Sequence, residues 1–101
     1  MTKVFFYGEE CDLVVGRYAQ GGRIRLDLRC DTGEPMATCT VNLPHVDIPE
    51  GCAFIKDYSE NEGMVEALKE AGVIVGDPIK SEVSGFVIID CYRLSLEPDP
   101  A

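Results

Sequence analysis

Acidic side chains are densest in one stretch of the second half of the chain, at Asp57, Glu60, Glu62, Glu66 and Glu70. Glu62, Glu66 and Glu70 recur every four residues, a spacing that stacks side chains along one side of a helix. Like charges at this spacing destabilise a helix by about 0.2 to 0.5 kcal/mol per pair. Two interpretations stay open: a solvated helix face, or an acidic surface that docks a basic partner.

The residues that usually carry catalysis do not form a motif. His45 is the only histidine and lies between Pro44 and Val46. A general base also needs a nucleophile and an orienting group within hydrogen-bond reach, and no local pattern supplies them. Neither G-x-G-x-x-G nor G-x-x-x-x-G-K-[ST] occurs, which argues against a phosphate cradle. We therefore predict no catalytic residues, no cofactor and no metal site.

The cysteines favour a buried and reduced state. They are odd in number and contain no C-x-x-C pair, a pattern that fits neither a disulfide framework nor a zinc site. A free cysteine commonly behaves as a small buried hydrophobe. We predict free thiols in a cytoplasmic protein at Cys11, Cys30, Cys39, Cys52 and Cys91.

Four arginines, Arg17, Arg23, Arg25 and Arg29, lie close together in the first half of the chain. Such a set can bind phosphate, but Asp27 interrupts it and the whole chain is acidic. We interpret the arginines as cross-strand partners of acidic neighbours.

The charge balance limits the possible partners. Eighteen acidic residues against nine basic ones give a formal net charge of −9. Such a field repels nucleic-acid phosphates and acidic membrane surfaces and attracts basic protein surfaces. The sequence also lacks a membrane-spanning apolar stretch and the apolar region of a signal peptide. We expect a protein partner with a basic surface, no direct nucleic acid and no membrane.

The elements that must position these residues are mainly strands in the first half. Ile24, Leu26 and Leu28 alternate with charged residues, which predicts a strand with one buried face. Further strands are predicted over residues 4–7, 11–18 and 36–43, with glycine-rich turns at 20–22 and 31–35. These signals favour an antiparallel meander.

One helix is predicted over residues 60–71. Ser59 and Glu62 form a capping-box pattern, and Gly72 is suited to end the helix. A short extended piece at 73–75, a break at 76–78 and a central strand at 85–94 should follow. We predict an α+β fold, an antiparallel β-sheet of about five or six strands with one α-helix packed on it through Val65 and Leu68. Residues 1–96 should form a single domain, and residues 97–101 a disordered tail.

Three segments carry a resemblance to a known family: 33–44, 54–64 and 84–86. The second contains the motif KDYSENEGM at residues 56–64. Together they resemble a small bacterial family known only as a domain of unknown function, and the resemblance spans residues 4–94. Members look like accessory genes of phages, plasmids and conjugative elements, and some related small acidic proteins of such elements inhibit CRISPR–Cas nucleases. The resemblance brings no catalytic residues.

These observations lead to one functional hypothesis and one alternative. The hypothesis is a small acidic, non-enzymatic mobile-element protein that inhibits a host defence nuclease complex by occupying its basic nucleic-acid-binding surface. The alternative is a housekeeping or regulatory protein-binding module of the element with no inhibitory role. An enzyme with a carboxylate site ranks third. The residues predicted to bind the partner are Asp57, Tyr58, Glu60, Glu62, Glu66 and Glu70.

Overall fold

The computed structural model describes residues 2–96, so the predicted tail at 97–101 lies outside the described residues. A 3-10 turn at Ser59–Asn61 precedes the α-helix. The strands and the helix, in chain order, are β1 (Lys3–Phe6), β2 (Glu9–Arg17), β3 (Ile24–Arg29), β4 (Pro35–Thr38), β5 (Thr40–Val41), β6 (Cys52–Ile55), α1 (Met64–Glu70), β7 (Ile74–Ser84) and β8 (Val87–Leu94).

The strands form two antiparallel sheets of four strands each. The first sheet has the order β1-β2-β3-β4, and the second has the order β5-β6-β8-β7. The predicted α+β class, with antiparallel strands and one helix, is confirmed. The described chain has eight strands in two sheets, where the sequence indicated about five or six strands in one.

The division into two sheets occurs at Cys39, inside the segment predicted as one strand over 36–43. The Cys39 N–H donates to the Leu26 carbonyl at 2.8 Å, and the Cys39 carbonyl accepts from the Lys56 N–H at 2.7 Å. One residue is therefore bonded to both sheets, while the chain passes from β4 in the first to β5 in the second. Because Cys39 is completely buried, these backbone groups need protein partners at this point.

The main hydrophobic core lies between the first sheet, α1 and one face of the second sheet. The alternation predicted for β3 is confirmed, since Leu26 and Leu28 are fully buried. Leu68 of α1 and Ile55 of β6 belong to the same cluster. A second, smaller cluster covers the other face of the second sheet and consists of Val46, Cys52, Phe54, Ile89 and Cys91. Strand β6 is therefore buried on both faces.

The helix starts later than predicted and uses a different cap. It begins at Met64, and its N-cap residue Gly63 has a left-handed φ of 93°. The carboxylate Oδ1 of Asp57 accepts from the Gly63 N–H at 2.7 Å and from the Val65 N–H at 3.4 Å. The predicted Ser59 capping box is wrong, because Ser59 sits in the preceding 3-10 turn with a φ of 54° and makes no cap.

The last third of the chain contains more strand than predicted. Strand β7 runs through the expected break at 76–78, which it accommodates as a bulge: the register passes from Val75 opposite Arg93 to Lys80 opposite Cys91. Strand β8 lies between β6 and β7, so its predicted central place is confirmed. Exposure alternates along its first part, so that Ile88 is exposed while Ile89 is buried.

Candidate protein-binding groove

A shallow groove of about 250 Å³ lies between the end of β1 and the helix α1. Phe6, Gly63 and Ala67 line it together with acidic and aromatic side chains. We call it the acidic–aromatic groove, and we define it by its bordering residues Phe5, Tyr7, Glu62, Glu66 and Glu70.

The aromatic border comes from the way β1 ends. Alternation along β1 buries Val4 and Phe6 in the core and turns Phe5 outward. Tyr7 follows the strand and lies in the turn to β2. Phe5 is 61% exposed and Tyr7 is 64% exposed, so two large apolar surfaces face solvent beside the helix.

Tyr7 is held in a backbone conformation that is unfavourable for its residue type. Tyr7 and Gly8 connect the paired residues Phe6 and Glu9, with φ values of 50° and 76°. A two-residue hairpin turn with both φ values positive is a type I′ turn, which prefers Asn or Gly at its first position. A left-handed conformation costs a side chain with a Cβ about 1 to 2 kcal/mol. Tyr7 is thus a strained and exposed aromatic residue, a combination that often marks a binding site.

The acidic border of the groove is unpaired. Within residues 2–96, the carboxylates of Glu62, Glu66 and Glu70 make no hydrogen bond and no ion pair. The nearby Lys69 is engaged elsewhere, because its Nζ lies 5.5 Å from the centroid of the Tyr92 ring. Three free negative charges therefore face one groove, although Glu62 precedes the helix and is not stacked on it as predicted.

The other predicted partner-binding residues have local structural roles. Asp57 caps α1, as described above. Glu60 accepts from the Lys56 Nζ at 2.5 Å, and this contact lowers the pKa of Glu60 and raises that of Lys56. Tyr58 is half-buried against the smaller core cluster, with the Lys56 Nζ 5.5 Å from its ring centroid. The structure brings together three of the six predicted residues in the groove, and the other three do not line it.

Two residues of the KDYSENEGM motif that are poor helix formers have structural explanations. Asn61 is buried, and its side-chain amide donates to the Thr38 carbonyl at 2.6 Å, which ties the 3-10 turn to the end of β4. Gly63 occupies the left-handed N-cap position, where a side chain would be strained. These residues position α1 and are not needed as contact residues.

The arginines of the first half are largely engaged within the protein. Arg25 pairs with Asp27 at 3.0 Å, within its own strand and not across strands as predicted. Backbone carbonyls accept from the other three: Gly22 from Arg17 at 2.9 Å, Val46 from Arg23 at 2.8 Å, and Gly33 from Arg29 at 3.3 Å. The predicted pairing with acidic neighbours across strands is wrong, because Arg25 pairs with an acid of its own strand and the other three donate to backbone carbonyls.

The thiols are poorly suited to chemistry. All five cysteines are free; Cys30 is half-buried and the other four are buried. Burial raises the pKa of Cys39 to about 12 and that of Cys91 to about 11, so both stay protonated near neutral pH. No group of three potential metal-ligating side chains occurs in residues 2–96, and no helix there is long and apolar enough to cross a membrane.

Sequence reasoning missed the aromatic half of the groove. The available signal was the run Phe5-Phe6-Tyr7, because a half-buried strand turns alternate side chains outward and cannot bury three adjacent aromatic residues. The strain at Tyr7 could not be seen in the sequence, since it depends on the two-residue length of the turn.

Comparisons with protein-family models, with curated proteins and with solved structures find no match to this chain. The resemblance to a mobile-element family stays a prediction.

Proposed function

We propose that this protein is a non-catalytic binding protein whose acidic–aromatic groove receives a basic segment of a protein partner. The observation that carries the proposal is the joint placement of three unpaired carboxylates, Glu62, Glu66 and Glu70, beside the exposed rings of Phe5 and Tyr7. The acidic net charge of −9 supports the same class of partner.

Arginine and lysine side chains fit both halves of such a groove. Their cationic groups form charge-assisted hydrogen bonds with carboxylates. The same cations are attracted to the faces of aromatic rings, by about 0.5 to 1 kcal/mol at exposed sites. The strained, solvent-facing position of Tyr7 supports a ring that contacts a ligand, because the fold itself gains little from holding it there.

The proposal predicts a particular kinetic signature. Exposed charges separated by less than a Debye length, about 8 Å at physiological salt, add their fields. Complementary charge mainly raises the association rate, and the effect falls with salt. Binding through the groove should therefore weaken as salt rises, chiefly through slower association.

The direct test measures binding of a labelled peptide of alternating arginine and glycine at low and high salt. Replacement of Glu62, Glu66 and Glu70 by lysine should lower affinity at least about tenfold at low salt, mainly through association. The matched control replaces Asp31, Glu34 and Glu50, which are exposed acids outside the groove, by lysine. Equal losses in both triple variants would mean that net charge alone attracts the peptide and would contradict a specific groove.

A host defence nuclease complex is the partner that we propose to test first. Such complexes hold nucleic-acid phosphates on lysine- and arginine-rich surfaces, which offer the basic chemistry that the groove would bind. The mobile-element resemblance of residues 56–64 supports this choice. An occupied surface would exclude nucleic acid, so the protein would inhibit without any catalytic step.

Inhibition is tested by adding the purified protein to a CRISPR–Cas nuclease and measuring substrate binding and cleavage. We expect loss of substrate binding with the wild type and with the Asp31, Glu34 and Glu50 control, and recovery with the groove variant. If the nuclease is unaffected while the basic peptide still binds the groove, the partner is a different basic protein. That outcome would favour a housekeeping or regulatory binding module, whose partner can be captured from a host lysate at low salt.

A further inference from the structure

The outer edge of β7 is an open strand edge. Strand β7 is the last strand of the second sheet and pairs with β8. Its second half, residues 79–84, leads into the turn Gly85-Phe86, where Gly85 has a φ of 61°. A two-residue hairpin with a positive φ only at its first turn position is a type II′ turn. We call residues 79–84 the β7 edge.

The hairpin register shows which backbone groups face outward. In a two-residue hairpin, the residues that flank the turn, here Ser84 and Val87, exchange both hydrogen bonds. Pairing then alternates, so Lys80 and Glu82 also bond to β8, while Ile79, Ser81 and Val83 direct their N–H and C=O groups away from it. Within residues 2–96, no backbone hydrogen bond outside the β7–β8 ladder involves residues 79–84.

This open edge is also unusually apolar. Val83 is 71% exposed and its register partner Ile88 is 69% exposed. Phe86 at the tip of the hairpin is fully exposed, and Ile79 is 42% exposed. Strand edges are usually protected by charge or cover, because unpaired backbone groups beside apolar side chains recruit another strand. A strand added here would satisfy the backbone groups and cover Ile79 and Val83.

We propose that the occupant is a second copy of this chain, paired antiparallel along the β7 edge with Ser81 opposite Ser81. The sequence of the edge is complementary to itself in this register. Lys80 of one copy faces Glu82 of the other, and Ile79 faces Val83, each pair occurring twice about the two-fold axis. The Lys80 Nζ donates one hydrogen bond to the Asp47 carbonyl of its own chain at 3.1 Å, and its other two N–H groups are left for Glu82 of the second copy. Opposite charges and apolar pairs directly across strands stabilise antiparallel pairing.

The backbone geometry agrees with this register. Ser81 lies on the two-fold axis with outward N–H and C=O groups, so two copies can exchange a pair of hydrogen bonds there. A shift of one residue would place Lys80 opposite Val83 and would remove the charge pairing. This self-complementarity is why a second copy fits the edge better than an unrelated strand.

The pairing also ends at defined points. Pro78 lacks an N–H, and the bulge that contains it interrupts the strand on one side. The turn at Gly85-Phe86 ends it on the other. A two-fold pairing uses the β7 edge of both copies, so the assembly closes as a dimer and does not extend into a fibre.

A charge exchange tests the register, with self-association measured by sedimentation equilibrium. Lys80→Glu and Glu82→Lys should each weaken the dimer about tenfold, because each places like charges opposite one another twice. The double variant K80E/E82K restores both pairs and should restore the wild-type dimer. Val15→Lys, at another exposed valine, is the control for a charge added to a strand surface. A wild-type protein that remains monomeric at all concentrations, or a double variant as weak as the single ones, would overturn the proposal.

Cross-linking gives a second, independent test. Directly opposed residues of a hydrogen-bonded antiparallel pair have Cα atoms about 5.5 Å apart, within the range of a disulfide. Ser81→Cys should form a covalent dimer on mild oxidation, whereas Ser84→Cys should not, because its predicted partner is Pro78 of the other copy. The wild type is oxidised in parallel as a control, because Cys30 is only half-buried and could itself cross-link two chains. Equal cross-linking of both variants, or binding of an added extended peptide by a monomeric wild type, would contradict this dimer.

Salt separates this proposal from the groove. Salt screens both the two Lys80–Glu82 pairs of the dimer and the repulsion between its two acidic chains, so dimerisation should change little with salt, while basic-peptide binding should weaken. Either surface can therefore fail its test without affecting the other.

Discussion

The acidic–aromatic groove and the β7 edge both expose apolar side chains, but they differ in what surrounds those side chains. The groove places rings beside three carboxylates without partners. The β7 edge places aliphatic side chains beside open backbone groups and one lysine–glutamate sequence pair. The first surface is complementary to a cation, and the second is complementary to itself.

The arginines sharpen this comparison. Arg17, Arg23 and Arg29 donate to backbone carbonyls, so their number in the sequence overstates the cationic groups available for binding. Glu62, Glu66 and Glu70 have no such partners within residues 2–96. Unpaired charged side chains indicate a binding surface better than paired ones do, because a charge that already has a partner gains less free energy from a ligand.

The largest expected effect concerns the helix that forms one side of the groove. Leu68 is fully buried in the main core, whereas Ile88 near the tip of the hairpin is mostly exposed. Leu68→Ala should lower the free energy of unfolding by about 2 to 5 kcal/mol, because it leaves a cavity. Ile88→Ala should change it by about 0.5 kcal/mol or less. Urea unfolding followed by circular dichroism measures both, and similar losses would mean that the hairpin tip is packed against the body.

The next prediction concerns the ionisation of Cys39, the residue at which the two sheets join. Loss of stability at this point should affect both the groove and the β7 edge. Burial raises the pKa of Cys39 from 9.0 to about 12, so the folded protein keeps this thiol protonated while the unfolded chain loses the proton. The unfolded state then binds fewer protons, and stability falls as pH rises from about 9 towards 12. The contribution of Cys39 to this slope should be about 1.4 kcal/mol per pH unit.

Unfolding of the reduced protein at increasing pH measures this slope, and Cys39→Ala is the control. The slope should decrease in the variant without disappearing, since the pKa of Cys91 is also raised, to about 11. An identical slope in wild type and variant would show that Cys39 does not resist ionisation in the folded state.

The strands and the helix could largely be predicted from alternation and helical spacing, but their division into two sheets could not. The segment 36–43 looks like one continuous strand, and the transfer at Cys39 depends on partners, Leu26 and Lys56, that are distant in sequence. The second half of β7 was missed because Gly76 and Pro78 are ordinary signals for a loop, whereas tertiary pairing accommodates them as a bulge.

The candidate site was predicted in part. Helical spacing predicted Glu62, Glu66 and Glu70 on one side of the helix; all three line the groove, but Glu62 does so from the turn before the helix. Asp57 was grouped with these acids by composition, although its hydrogen bonds to the start of the helix give it a structural role. A carboxylate that caps a helix and one that awaits a partner cannot be distinguished by residue type.

A smaller effect is expected from the helix cap, which supports the groove and not the β7 edge. Asp57→Ala removes the carboxylate that accepts from the Gly63 and Val65 N–H groups and should cost about 0.5 to 2 kcal/mol. Ser59→Ala should change stability little, because Ser59 does not cap the helix. Thermal unfolding of the two variants distinguishes these roles. A larger loss of stability from Ser59→Ala than from Asp57→Ala would show that Ser59 caps the helix after all.

The smallest change in stability, and the sharpest separation of the two surfaces, should come from Tyr7. Tyr7→Asn relieves a left-handed strain of about 1 to 2 kcal/mol, since asparagine tolerates this turn position. It also removes an aromatic contact, because the centroid of the Tyr7 ring lies 4.4 Å from that of the Phe6 ring. Such a contact stabilises the folded state by about 0.5 to 1.5 kcal/mol. The relieved strain and the lost aromatic contact nearly cancel, so the free energy of unfolding should change by less than about 1 kcal/mol.

Binding should respond differently from stability. Loss of one exposed cation–π contact should weaken the basic peptide about two- to fivefold, while Tyr7→Phe keeps the ring and most of the affinity. Dimerisation through the β7 edge should be unchanged in both variants, because Tyr7 lies in the first sheet's β1–β2 turn. A Tyr7→Asn variant that is more stable and binds the peptide as tightly as wild type would leave the strained ring without a role in binding. The groove would then act through its carboxylates alone.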